Sequence, residues 1–134
     1  MAGTNDWNRS QNELETINDS PSQVTLCSKL IKLINYINEE YPHISLVIIA
    51  PIDRYQNEVS IYRTLNREGG WSLQMLSDAE KAICEKYNVG FVESIKLPWV
   101  SQYNISSLSN DGLHPNLIGH RKLGLALAAA MPVH

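Results

Sequence analysis

A carboxylate and an imidazole stand three residues apart in Asp111-Gly112-Leu113-His114-Pro115, and an apolar segment follows at once. Acyl transfer needs a base that takes the nucleophile's proton and an acidic group that fixes the base's tautomer and stabilises its cation. Asp111 and His114 could supply both from a single turn. The same residues have a plainer reading, in which Asp111 caps a turn and His114-Pro115 merely begins a helix. The other stretch with chemical potential is Gly3-Thr4-Asn5-Asp6. Its glycine lets the backbone approach closely, and the Asn5 amide can donate to a developing oxyanion. Glycine beside Asn and Asp is also ordinary turn chemistry.

The elements that must position these residues follow from the apolar pattern. Residues 3 to 19 carry no periodicity and read as a loop. Ser20 as a cap, Pro21 at the first helical position and Gln23 closing a capping box predict a helix over 21–40. Cys27, Leu30, Ile31, Ile34, Ile37 and Tyr41 form its apolar face, and Pro42 ends it. Residues 45 to 50, Ser-Leu-Val-Ile-Ile-Ala, are a continuous apolar run of β-formers. Its lack of alternation predicts a central strand buried on both faces, as in a parallel sheet covered by helices.

A long excursion follows from Pro51, within which the spacing allows a short helix over 58–65. Ser77-Asp78-Ala79-Glu80 is a second capping box, and Ala79, Ala82, Ile83 and Tyr87 make an amphipathic helix that Asn88 ends. Residues 89 to 93 read as the next strand, so the unit is strand, crossover helix, strand, with parallel pairing. The Asp-to-Pro turn then leads into a helix containing Leu117, Leu123, Leu127 and Met131. Active sites of open parallel sheets lie beyond the carboxyl ends of the strands, where this turn is expected.

Composition narrows the partners. A chain of 134 residues, 43% hydrophobic and 19% charged, is the size and make-up of one globular domain. A net charge of -3 with scattered Lys and Arg offers no footprint for nucleic acid and no polybasic membrane patch. Its apolar runs are far shorter than the roughly 20 residues that span a bilayer. Cys27 and Cys84 fall on apolar helix faces, where buried free thiols are expected.

Taken together, the two ends resemble the SGNH hydrolases, the GDSL-type esterases and lipases. Gly3-Thr4-Asn5-Asp6 is similar to that family's Gly-x-Asn-Asp block, and Asp111-Gly112-Leu113-His114-Pro115, running on to Gly119-His120, to its terminal Asp-x-x-His-Pro block. The resemblance implies an α/β fold, part of a three-layer α/β/α flavodoxin-like sandwich with a parallel sheet whose N-terminal strands are missing here. It implies a single SGNH-like domain over 1–134, with His114 as general base, Asp111 as its orienting carboxylate, Asn5 and Gly3 in the oxyanion hole and Asp6 in support. His120 is expected on the helix as packing or surface rather than in a catalytic role. No cofactor or metal is implied, and the substrate would be a small-molecule or carbohydrate ester. Trp71, Trp99 and Tyr103 could line its pocket, or serve as rim packing.

The family's nucleophile, the serine of a Gly-Asp-Ser block, is not in this sequence, nor is a Gly-x-Ser-x-Gly elbow. Ser106, Ser107 and Ser109 lie near Asp111, but unassisted loop serines are turn residues far more often than nucleophiles. Met1-Ala2 reads as the tail of a strand leading into the Gly-x-Asn-Asp block, which suggests a C-terminal portion with an apolar strand edge at residues 45 to 50 left open. Such an edge invites pairing with another chain or an N-terminal piece. Two rival readings stand beside the hydrolase. One is a non-catalytic carbohydrate-binding or assembly module on the same scaffold. The other is a metal site from Asp111, His114 and His120, weakened because residues 114 and 120 do not share a helical face.

Overall fold

Thr25 opens the first helix, α1 (Leu26–Glu40). Its Oγ1 accepts from the Ser28 amide at 3.1 Å while the Ser28 hydroxyl accepts from the Thr25 amide at 3.1 Å, a reciprocal capping box. The computed structural model describes Trp7, residues 25–66 and residues 70–132. The helix expected from residue 21 therefore starts at Leu26, because the Thr25 and Ser28 pair satisfies the first free amides there; Ser20, Pro21 and Gln23 lie outside the described residues. At the other end the Tyr41 amide closes on the Ile37 carbonyl and Pro42 bars a further turn.

The expected strands form over their central residues. β1 (Val47–Ile49) leads to a hairpin of β2 (Tyr55–Gln56) and β3 (Val59–Ser60), then α2 (Leu73–Tyr87) and β4 (Gly90–Val92). β1 and β4 pair in parallel, with Val47 opposite Gly90 and Ile49 opposite Val92. α2 begins earlier than the Ser77 box implied. Ser72 caps it by accepting from the Met75 amide at 3.1 Å, and Leu73 and Leu76 carry the buried stripe back by a full turn. Ser77 is consequently inside the helix and buried. Asn88 ends α2 in the left-handed region, φ 54°, as its residue type favours.

Over 58–65, where the spacing allows a short helix, the chain instead turns back on itself. Tyr55 pairs with Ser60 and Gln56 with Val59 across a two-residue turn, with Asn57 at φ 49° and Glu58 at φ 61°. Positive φ at both central positions is what a right-twisted hairpin demands. Asp53 Oδ1 holds the base of this hairpin, accepting from the Arg54 amide at 2.8 Å and the Ser60 hydroxyl at 2.6 Å. A short 3-10 turn (Ser94–Lys96), α3 (Ile105–Leu108) and α4 (Leu117–Ala130) complete the chain.

Two apolar clusters sandwich the parallel pair. On one side Cys27, Ile31 and Ile34 of α1 meet Leu76 and Ile83 of α2 and Trp71, with Leu46 and Val89 from the strand starts. On the other, Val47, Ile49 and Val92 pack with Leu97, Trp99, Leu108 and Leu123 of α4. Leu46 and Val47 thus serve opposite cores, as alternation along a strand requires. The result is an α/β arrangement with helices on both faces of a parallel pair. Trp71 and Trp99, candidates for a pocket lining, are core residues at 1% and 2% exposure, and only Tyr103 is on the surface. A long flat side chain buries the most area per residue, which is why the two tryptophans are drawn inward. Cys27 and Cys84 are free and buried. No helix among the described residues is long and apolar enough to cross a membrane.

One buried acid sits in this framework without a full complement of partners. Glu80 of α2 is 8% exposed and its Oε2 has no hydrogen-bond partner among the described residues. Burial pushes its carboxyl up to about 8. A raised carboxyl favours the protonated folded form, so its contribution to stability is complete below the ordinary value near 4.5 and is lost as pH rises through about 8. Glu80→Gln should therefore leave the Tm at pH 5 nearly unchanged and raise it by several degrees at pH 9. Calorimetry at the two pH values checks this, and equal shifts at both would refute it.

Candidate active site

The loop between α3 and α4 is pinched at its base by an isolated antiparallel bridge between Ser109 and Pro115. Within it Asp111 organises the turn. Its Oδ1 accepts from the Leu113 amide at 2.9 Å and the His114 amide at 2.7 Å, the local bonding that Asp offers in turns. With Oδ1 engaged, Oδ2 faces the imidazole, 2.5 Å from His114 Nδ1. A carboxylate on Nδ1 fixes the tautomer with the proton on that nitrogen, leaving Nε2 as an acceptor. The hydrogen bond from His114, followed by the His114 and Leu113 amides, holds the Asp111 carboxyl well below the usual carboxylate range. Asp111 is thus an anion at any ordinary pH.

The pair is accessible. The His114 side chain is 78% exposed and that of Asp111 52%. An imidazole held by a carboxylate on one nitrogen and open on the other can take a proton from a nearby hydroxyl and return it to a leaving group.

Two elements distant in sequence hold this turn in place. Gly112 has φ +76°, and a Cβ there would lie 2.3 Å from the Tyr55 carbonyl oxygen. Only glycine permits that approach. The Tyr55 amide in turn donates to the Gly112 carbonyl at 2.9 Å, so the hairpin clasps the turn from one side. The hairpin follows the carboxyl end of β1, which puts the Asp-His pair beyond the strand ends, as expected for a parallel sheet. The strand ends are themselves tied together, for Ser94 Oγ lies 2.6 Å from both the Ala50 and Pro51 carbonyls.

From the other side α4 fixes the turn. Asn116 caps this helix by accepting from the Gly119 amide at 2.9 Å, and its Nδ2 donates to the Ser107 carbonyl at 3.0 Å. Gly119 lets α4 approach α3, since a Cβ there would be 2.4 Å from the Leu108 carbonyl oxygen. His120 is exposed on α4. Beside the turn, Tyr55, Asn57 and Glu58 of the hairpin face Ile105 and Ser106 across an open cleft of about 460 Å³ whose floor includes Asp111.

The structure therefore brings together Asp111 and His114 as the spacing predicts. Gly3, Asn5 and Asp6 lie outside the described residues. Sequence reasoning missed Tyr55, whose contact is through the backbone and leaves no residue-type signal. It treated Ser109 as a plain turn residue, although this side chain bonds the turn at several points.

No family profile matches the sequence, and no curated protein does. Solved structures do match. A protein from Lactobacillus plantarum superposes with a TM-score of 0.77 at 19% identity, over 93% of this chain and 61% of that one. A possible lipase from Chitinophaga pinensis DSM 2588 gives 0.70 at 17% identity, over 96% of this chain and 68% of that one. The esterase domain of the ZfL2-1 ORF1 protein, from a zebrafish retrotransposon, gives 0.56 at 18% identity, over 87% and 71%. The chain has the α/β fold that these proteins share. It spans less than two thirds of the length of the Lactobacillus protein.

Proposed function

We propose that this chain carries the base and the orienting acid of a serine ester hydrolase of the SGNH, or GDSL, type, acting on an O-acyl ester. The observation that carries the reading is the exposed His114 imidazole held through Nδ1 by Asp111 Oδ2 at 2.5 Å. A fold shared with a possible lipase and an esterase domain supports it.

In this mechanism a serine hydroxyl attacks the ester carbonyl while His114 Nε2 takes its proton. The carbonyl oxygen becomes an oxyanion, met by the Asn5 amide and the backbone at Gly3, with Asp6 supporting that loop. Collapse breaks the bond to the leaving alkoxide, which receives the proton from Nε2 and departs as the alcohol. Water then enters by the same exchange, releases the acid and regenerates the serine. Asp111 stays ionised and steadies the imidazolium.

The serine comes from outside these 134 residues, which contain no Gly-Asp-Ser block. Among the described residues β1 pairs only with β4, which supports pairing of its other edge with the strand of an N-terminal piece or a second chain. The substrate is a small-molecule or carbohydrate ester. No cofactor takes part.

Extending the reading frame upstream of the first codon tests the proposal. An in-frame Gly-Asp-Ser block, together with ester hydrolysis by the extended protein that His114→Ala and Asp111→Asn abolish, is the expected result. A stop codon upstream, or hydrolysis indifferent to both substitutions, would replace the enzyme by a non-catalytic binding or assembly module, which the missing serine block also fits.

A further inference from the structure

Asp111 presents two chemically equal oxygens, yet only one arrangement serves His114. A carboxylate that turned over would exchange Oδ1 and Oδ2 and break every bond they make during the motion. Two of the donors on Oδ1 are amides of the turn itself, at Leu113 and His114, and they move with it. The third comes from outside that short loop. Ser109 is 5% exposed, and its amide is fixed to the Ile105 carbonyl at 2.9 Å at the end of α3. Its hydroxyl reaches three groups of the turn. It receives the Gly112 amide at 3.0 Å, and its single proton lies between the His114 carbonyl at 2.8 Å and Asp111 Oδ1 at 3.1 Å.

One buried hydroxyl therefore touches the carboxylate, the backbone of the base and the glycine between them. Neighbouring Ser106 and Ser107 are exposed and show no comparable role. We infer that Ser109 is a positioning residue that locks the Asp111 carboxylate in the orientation that presents Oδ2 to His114. It acts through Asp111 and is neither nucleophile nor base. As a donor to Oδ1 it adds to the stabilisation of the anion, and as an acceptor it fixes the left-handed Gly112 that swings His114 back over Asp111. Side-chain hydrogen bonds of this kind, behind the groups that react, commonly decide whether those groups are held in register.

The inference rests on the Asp-His reading of the site, and its test needs no turnover. In the native chain at acid pH, the Nδ1 proton of His114 should give a downfield proton resonance that His114→Ala removes. Ser109→Ala is expected to broaden or abolish that resonance and to raise the titration midpoint of the Asp111 carboxyl carbon. Ser109→Cys, a weaker donor of similar volume, should fall between and serves if the alanine variant fails to fold. Asn104→Ala loosens the loop before α3, where its Oδ1 accepts from the Ser101 amide at 2.7 Å, without touching Asp111, and should leave both signals in place. Signals unchanged in the Ser109 variants would overturn the inference, as would equal losses in Asn104→Ala, which would mark a general loosening of the loop. A native chain lacking the resonance would overturn the Asp-His reading itself, and Ser109 with it.

Discussion

Purified and assayed on p-nitrophenyl acetate, the 134-residue chain is expected to turn over at close to the uncatalysed rate. Removing the serine from a hydrolase of this mechanism costs about a million-fold in turnover, because base and acid without a nucleophile have no bond to make. His114, held through Nδ1 by Asp111, is placed to take a proton on Nε2, but in the proposed mechanism that proton belongs to a hydroxyl this sequence does not supply in a Gly-Asp-Ser block. The exposed imidazole can itself attack an activated ester slowly, so the comparison that matters is with free imidazole at equal concentration. A rate within roughly tenfold of that reference fits the reading, since such a rate needs no assembled site. A rate thousands of times greater that vanishes in His114→Ala would place a nucleophile inside the chain and end the argument for a separate serine.

Replacing Gly112 should have the largest effect on stability of any single change at the site. Gly112→Ala meets two penalties. The residue sits at φ +76°, where a side chain costs about 1–2 kcal/mol. The new Cβ would also lie 2.3 Å from the Tyr55 carbonyl oxygen, a backbone atom that cannot swing aside as a flexible side chain can. Relief requires parting the hairpin from the turn, with loss of the bond from the Tyr55 amide to the Gly112 carbonyl. Together these amount to about 3 kcal/mol, or a fall in Tm of roughly 10 °C for a domain of this size. Thermal unfolding followed by circular dichroism would show it. A fall of no more than a degree or two would mean that the hairpin does not clasp the turn in solution.

The contrast between Gly112 and Glu80 shows two ways in which this fold carries strain. Glycine at 112 avoids a cost that any other residue would incur at every pH, whereas Glu80 imposes one only when ionised. The first belongs to the turn that bears the Asp-His pair. The second lies in α2, in the helical layer behind the sheet.

Much of this was legible in the order of residues. The apolar run around Val47–Ile49, the stripe of Cys27, Ile31 and Ile34, and the segment from Leu117 announced strand and helices because their periodicity reflects which sides must leave water. The Asp111 and His114 pair was equally visible, since three residues of one tight turn suffice to bring the two groups together. Local chemistry of that kind needs no knowledge of the rest of the chain.

What escaped was set by competition and by contact. Ser77 has the residue type of a helix cap, but Ser72 took that place because the buried stripe begins beside it. Residues 58 to 65 looked permissive for a helix, yet Asp53 bonding to Ser60 closed a hairpin first. Trp71 and Trp99 were drawn into the cores by the area they bury rather than left at a rim. The clasp of Tyr55 on Gly112 is made by backbone atoms, and the reach of Ser109 depends on where α3 ends. Neither is written in a residue type. Sequence thus determined which groups one turn brings together, and the tertiary structure decided what holds that turn, because the groups doing so come from parts of the chain that meet only once it is folded.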